Sequence, residues 1–136
     1  MRLCKEIFAD FGLQKQLFLR PYRIVGTGST TGVVEVLTDT LSLDALKKTP
    51  GFVSLPDYFN KTYGSSPERL LEAKKNFTAS LAAYSVFSYI LLIKDRHNGN
   101  ILIDTEGHII HIDFGFLLYV MRIDMFRGLS LYILPL

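Results

Sequence analysis

Residues 94–116 read KDRHNGNILIDTEGHIIHIDFGF, and this stretch decides the fold class. Ile101-Leu102-Ile103 and His108 to Ile112 are two short apolar, β-branched runs. Between them Asp104-Thr105-Glu106-Gly107 is a good turn sequence, so the segment is expected to form a β-hairpin. A hairpin brings its two open ends together, which predicts that Asn100 and Asp113 meet at one end. The loop before it, Asp95, Arg96, His97, Asn98 and Asn100, is polar between two apolar elements. Polar groups in such a place must be paired, coordinated or at a cleft. For any one of them a solvated turn is an equally good reading; the joint pattern weighs against it. An amide oxygen on Asn100 and a carboxylate on Asp113 are hard oxygen donors for a divalent cation, with phosphate oxygens and waters completing an octahedron. His97 supplies a proton acceptor near neutral pH, with Asp95 two residues away. Metal ligands on one side and a base on the other are the parts of phosphoryl transfer.

Outward from this stretch, Ser65 and Glu68 make a capping box, with Pro67 suited to a first turn. Apolar residues then recur from Leu70 to Leu92, predicting a long helix whose C-terminal half is apolar all round and therefore buried. Further upstream, Leu41 to Lys48 and Asp57 to Tyr63 are expected as short helices. Pro21 to Val25 and Val33 to Leu37 flank a Gly/Ser/Thr cluster and predict a hairpin. Residues 2–11 place Leu3, Ile7, Phe8 and Phe11 at helical spacing. Helix, hairpin, helices and a second hairpin together predict an α+β domain.

Composition bounds the function. The 136 residues are 49% hydrophobic and 21% charged, with 15 Lys+Arg against 13 Asp+Glu, a net charge of +2. This is a globular chain of at most one domain. Without a block of like charges it gives no footprint for nucleic acid. The single Cys4 permits no internal disulfide and fits a reducing compartment. Leu81 to Ile93 is too short to span a bilayer, which takes about 20 residues, and Arg122, Asp124 and Arg127 interrupt Phe116 to Leu136. No transmembrane segment is expected. The Gly26/Gly28/Gly32 cluster lacks the phosphate-loop spacing, so a hairpin turn is the better reading. His108 and His111 fall on opposite faces of a strand and are read as structural. The aromatics of 84–89 are read as core.

DRHxxN followed by DFG resembles the catalytic and metal-binding segment of the phosphatidylinositol 3-/4-kinase family, which runs Asp-Arg-His where protein kinases read His-Arg-Asp. KDRHNGN with GHIIHIDFGF is most similar to the type III phosphatidylinositol 4-kinases. LRPYRIV, GVVEVL, LSLDALKK, DYFNKTYG and NFTASLAAYS follow in the family's order, and LSLDALKK leans toward the beta type. The likeness covers about residues 3–118. It implies part of a protein-kinase-like fold, the hinge plus the first part of the C-lobe. The hinge would lie near 33–38, the catalytic loop at 94–100 and the start of the activation loop at 113–116, with 119–136 a divergent tail.

Carried over residue by residue, the resemblance makes His97 the base for the inositol hydroxyl, supported by Asp95. Asn100 and Asp113 would hold Mg²⁺ (or Mn²⁺). The backbone of Glu35 to Leu37, with Val36 between, would bond adenine of ATP, and Ile112 would form an apolar floor under the ring. Glu35 is equally readable as a plain strand residue whose side chain has no chemical part. Arg96 is read as an anchor for the loop. The implied activity is transfer of the γ-phosphate of ATP to the 4-hydroxyl of phosphatidylinositol, in phosphoinositide signalling and membrane trafficking. The enzyme would be cytoplasmic and peripheral at Golgi or plasma membranes, acting on phosphatidylinositol in a membrane surface. A related Ser/Thr protein kinase and an inactive remnant are the alternatives. The 136 residues contain no glycine-rich strand pair and no strand lysine for the phosphates. Residues after Phe116 depart from the family pattern, as a truncated or read-through gene product would. On its own, the chain is expected to have little or no kinase activity.

Overall fold

The computed structural model describes residues 1–29 and 31–115. The tail after Gly115, including the expected divergence at 119–136, lies outside the described residues. Helix α1 (Arg2–Asp10) and strands β1 (Ile24–Gly26) and β2 (Gly32–Val34) come first. Strand β3 (Thr40–Ser42) leads directly into helix α2 (Leu43–Lys48), followed by α3 (Leu55–Tyr63) and the long α4 (Pro67–Ile90). Strands β4 (Ile101–Asp104) and β5 (Ile109–His111) close the described chain. The arrangement is α+β, as expected.

Two antiparallel sheets form. In the first, β1 pairs with β2 in the register Ile24↔Val34. The predicted hairpin is present, shifted so that its first strand includes Gly26 and its second ends before Glu35. In the second sheet β4 is central, paired with β3 (Leu41↔Ile103) and β5 (Leu102↔Ile110). The start of the helix predicted over 41–48 is therefore a strand, because Thr40–Ser42 finds a ladder partner 60 residues away. The helix begins only after Ser42, whose Oγ accepts from the Ala45 N–H as an N-cap.

The cap of α4 is Ser66, whose Oγ accepts from the Arg69 N–H at 3.1 Å, with Pro67 as the first helical residue. The box expected from Ser65 does not form, since Ser66 places the proline where its missing N–H costs no bond. The helix buries Ala73, Ser80, Ala83, Tyr84 and Phe87. Its last turns do not bury all round: Val86, Tyr89 and Ile90 are exposed, Tyr89 by 83%.

The core is in two parts. One gathers Leu19, Ala83, Tyr84, Phe87, Ile93, Ile109 and Ile110, so that α4 packs on β5. The other sets Leu46, Phe59 and Tyr63 of α2 and α3 against Ala73 and Ile103. Close approach is secured by Gly107, at φ +90° in the β4–β5 turn, where a Cβ would lie 2.9 Å from the Ala73 carbonyl oxygen. Deeper in, the Ser80 hydroxyl accepts from the Ile109 N–H at 2.9 Å and donates back to the α4 carbonyls of Asn76 and Phe77. It satisfies an edge donor of β5 that has no further strand to meet.

Around α1, Leu3, Ile7 and the C-cap Phe11 are exposed, while the N-cap Met1 with Cys4 and Phe8 touches the core. Strands β1 and β2 are exposed throughout.

Candidate active site

The β4–β5 hairpin does what its sequence predicts. Its ladder ends at Ile101↔His111, and the Ile112 N–H continues it by donating to the Asn100 carbonyl at 3.0 Å. Asn100 and Asp113 therefore stand on adjacent chains at the open end. The buried Asn100 donates its side-chain N–H to the Asp95 carbonyl at 3.2 Å, which leaves its amide oxygen for another partner. Asp113 is exposed, with one carboxylate oxygen 3.3 Å from the Gly115 N–H.

Arg96 binds the loop to the strand. Its Nε donates to the Lys94 carbonyl at 2.9 Å and one Nη to the Ile112 carbonyl at 2.7 Å. The other Nη donates to the Asp113 carbonyl, and the guanidinium lies 5.4 Å from the centre of the Phe114 ring. The expected anchoring role of Arg96 matches this geometry. Burial pulls its pKa below the ordinary guanidinium value against the attraction of Asp113 and Asp95. Asp95 and Asp113 are both left-handed, at φ +58° and +56°. Non-glycine residues hold that conformation only where surrounding contacts over-determine it, and here Arg96 and Asn100 supply those contacts.

His97 is exposed. Its Nδ1 accepts from the Gly99 N–H at 3.0 Å, so in the neutral ring the proton sits on Nε2, 3.8 Å from Asp95 Oδ1. A Cβ at Gly99 would fall 2.9 Å from the imidazole, so glycine leaves the ring its place.

Glu35, Val36 and Leu37 share no hydrogen bond or ion pair with Asp95, His97, Asn100 or Asp113 among the described residues. The Glu35 carboxylate accepts from the Arg23 N–H at 2.8 Å, and the Glu35 N–H donates to the Arg23 carbonyl at 2.9 Å. The side chain thus closes the first hairpin. Beyond it, the Glu35 carbonyl and the Leu37 N–H lie outside the β1–β2 ladder. Val36 is 78% exposed. Leu37 packs against the same core cluster as Phe114, and its carbonyl accepts from Thr40 Oγ1 at 2.7 Å. Ile112 is half-buried.

The two histidines set aside as structural are both buried and have separate partners. His108 stacks on Phe18 at 3.8 Å, with Nδ1 3.0 Å from Asp104 Oδ2. Burial pushes the Asp104 carboxyl up, but hydrogen bonds from the His108 ring and backbone and from the Glu106 N–H hold it below its ordinary value. His111 stacks on Tyr84 at 4.6 Å and is 3.5 Å from Ser88 Oγ. Burial, with Arg96 nearby, lowers the pKa of His111 to about 4. It is neutral at pH 7.

Sequence reasoning assigned no role to Arg20 or Tyr22, and it read Tyr84 as core, where it is fully buried. Arg20 forks onto Asp39 with both contacts at 2.8 Å. Tyr22 stacks on Phe114 at 6.5 Å beside Asp113, and burial raises its pKa. Only their presence in LRPYRIV signalled Arg20 and Tyr22. Two open concavities of about 240 and 270 Å³ lie elsewhere, one at Tyr63, Arg69 and Glu106, the other at Leu46, Phe52 and Leu55. At the hairpin mouth Asp95, His97 and Asp113 are exposed to solvent while Asn100 is buried.

Asn100 and Asp113 suit a hard cation. Among the described residues no group of three or more His, Cys, Asp or Glu could hold one alone, so phosphate or water would have to complete the shell.

Comparison with known proteins finds similar chains. A phosphatidylinositol 4-kinase of Dictyostelium discoideum is 61% identical over 104 residues, covering 75% of this chain and 9% of that protein. Phosphatidylinositol 4-kinase beta 2 of Arabidopsis thaliana is 46% identical over 114 residues, 83% of this chain and 10% of that protein. Phosphatidylinositol 4-kinase beta of Xenopus tropicalis is 48% identical over 103 residues, 75% of this chain and 13% of that protein. The chain thus spans about a tenth of the length of these relatives. The family model described as phosphatidylinositol 3- and 4-kinase matches residues 44–125, from α2 through the hairpin that carries the site. By its matched residues and by the loop and hairpin they build, the chain belongs to the phosphatidylinositol 3- and 4-kinase family.

Proposed function

We propose that this chain is the part of a phosphatidylinositol 4-kinase catalytic domain that holds metal–ATP and the attacking hydroxyl. The observation that supports the reading is the convergence of Asp95, His97, Asn100 and Asp113 at one hairpin mouth under a single Arg96 clamp.

The Asn100 amide oxygen and the Asp113 carboxylate would hold Mg²⁺ (Mn²⁺ also suits such donors). Held there, a cation would supply neutralisation of the negative charge on the phosphates during transfer. Arg96 and the hairpin ladder fix both ligands in advance, and positioning is most of what a phosphoryl-transfer enzyme supplies. His97 acts as base toward the inositol 4-hydroxyl. In the described geometry its free lone pair is occupied by the Gly99 N–H, so taking a proton requires the ring to swing off Gly99. Asp95, 3.8 Å from Nε2, would then steady the imidazolium. The Glu35 carbonyl and Leu37 N–H would receive the adenine edge, with Ile112 beneath the ring. The product would be phosphatidylinositol 4-phosphate.

Among the described residues no helix is long and apolar enough to cross a membrane. By family likeness, the lipid would be reached at a membrane surface by a cytoplasmic enzyme peripheral at Golgi or plasma membranes. We propose further that the 136-residue chain alone binds metal–ATP with little or no turnover, since it lacks a strand lysine over the phosphates.

The test is a substrate panel with γ-labelled ATP on the protein in its complete reading frame. Phosphatidylinositol vesicles should be labelled and Ser/Thr peptides should not, with labelling lost in His97→Ala. Labelled peptide and unlabelled lipid would assign the chain to the protein-kinase branch instead.

A further inference from the structure

One guanidinium ties the segment just after the proposed adenine residues to the turn end of β4. The main chain of Arg20 is fixed to α4: the Tyr84 hydroxyl lies 3.3 Å from its N–H and 3.4 Å from its carbonyl. Tyr84 is fully buried and stacks on His111, two residues before Asp113. The Arg20 backbone therefore belongs to the half of the molecule that holds the loop and β5. Its side chain reaches the other way. Both Nη atoms bond Asp39, two residues past Leu37, and one lies 3.7 Å from Asp104 Oδ2 at the end of β4. Beside it, Thr40 bonds the Leu37 carbonyl and pairs with Asp104 across the β3–β4 ladder. Residues 37–40 are thus pinned to β4 and α4 through one fork.

We propose that Arg20 is a positioning residue for the nucleotide. Through Asp39 it ties the chain just after the 35–37 backbone to β4, and so sets where the backbone that would receive adenine stands relative to the sheet. The inference rests on the adenine reading of residues 35–37. A lone surface ion pair would be worth little. This one is bidentate and shares its cation with a second, buried carboxylate, and a planar fork fixes direction as well as distance. The Asp39 carboxyl is held below the ordinary carboxylate range by the Arg20 hydrogen bonds, in keeping with an intact pair.

The experiment measures binding of three probes to the 136-residue chain: Mg·ATP, adenosine and Mg·tripolyphosphate. Asp39→Asn, at a half-exposed site, is the primary variant, with Arg20→Ala alongside and Asp39→Glu as the conservative control. Asp39→Asn and Arg20→Ala should weaken ATP and adenosine on the order of tenfold, a change of about 1.4 kcal/mol. Tripolyphosphate should bind as before, and Asp39→Glu should recover most of the loss. Equal weakening of all three probes would reduce Arg20 to a general structural clamp and overturn the proposal. Unchanged adenosine and ATP binding in both variants would overturn it while leaving the adenine reading intact. A parent chain that binds tripolyphosphate but not adenosine would remove the adenine reading, and Arg20's role with it.

Discussion

Replacing Arg96 with Ala is the perturbation whose outcome the structure predicts most sharply. The side chain makes three donations to main-chain carbonyls, those of Lys94, Ile112 and Asp113, and covers the Phe114 ring. Hydrogen bonds from a charged donor contribute roughly 1.5–3 kcal/mol each when well shielded. Arg96 is half-exposed, so about 1 kcal/mol each is the better scale, giving roughly 3 kcal/mol together. Relaxation recovers some of this. Asp95 and Asp113 sit at positive φ, a conformation costing on the order of 1 kcal/mol per residue, and without the clamp Asp113 is free to leave it. The net loss should be about 2 kcal/mol. At roughly 3–5 °C per kcal/mol for a chain between the 100- and 150-residue classes, the melting temperature should fall by about 6–10 °C. Urea unfolding followed by far-UV circular dichroism would measure it, with His97→Ala as the exposed control, expected within about 0.5 kcal/mol of the parent. Arg96→Lys should fall between the two, since an ammonium cannot meet three carbonyls in a plane. An Arg96→Ala chain within 0.5 kcal/mol of the parent would refute the claim that this residue holds the loop to β5.

Three further outcomes follow from single contacts. Ser80→Ala should cost about 1–3 kcal/mol in urea unfolding, because it leaves the buried Ile109 N–H without an acceptor; a neutral result would mean that water or β5 itself satisfies that donor. Gly107→Ala should destabilise by more than about 1 kcal/mol, since φ is +90° and the new Cβ would press on the Ala73 carbonyl, whereas Gly51→Ala at φ +79° in open space should cost less. The third concerns pH. His111 has its folded pKa lowered from 6.5 to about 4, so between these values the unfolded chain binds a proton that the folded chain refuses. Stability should therefore be independent of this group above about pH 6.5 and fall as pH drops toward 4. The fall should be on the order of 2–3 kcal/mol, at about 1.4 kcal/mol per tenfold in proton affinity. His111→Phe should flatten that limb, and an imidazole titrating near 6.5 by NMR in the folded chain would contradict the prediction.

Elements carried by local signals were legible in the sequence. The β4–β5 hairpin announced itself by two β-branched runs around DTEG, and α4 by its serine-proline start and apolar recurrence. The meeting of Asn100 with the DFG segment followed from the hairpin alone. Elements that depend on distant partners were not legible. Thr40–Ser42 reads as the start of a helix, and it becomes a strand only because β4 lies beside it. The apolar end of α4 predicted burial, but the described residues offer no partner to Val86, Tyr89 and Ile90. The Arg20–Asp39 fork, the Asp104–His108 pair and the left-handed backbone at Asp95 and Asp113 join residues through space or conformation. Spacing carries no mark of either.

The central claim is that Asn100 and Asp113 together receive the metal of a bound nucleotide. Paramagnetic broadening by Mn²⁺·ATP in the amide NMR spectrum of the 136-residue chain tests it without requiring turnover. The account predicts that the amides of Asn100 and of Ile112 to Gly115 broaden first, and that Asp113→Asn abolishes the effect while the fold is kept. Broadening centred on any other part of the chain, or unchanged in Asp113→Asn, would contradict it.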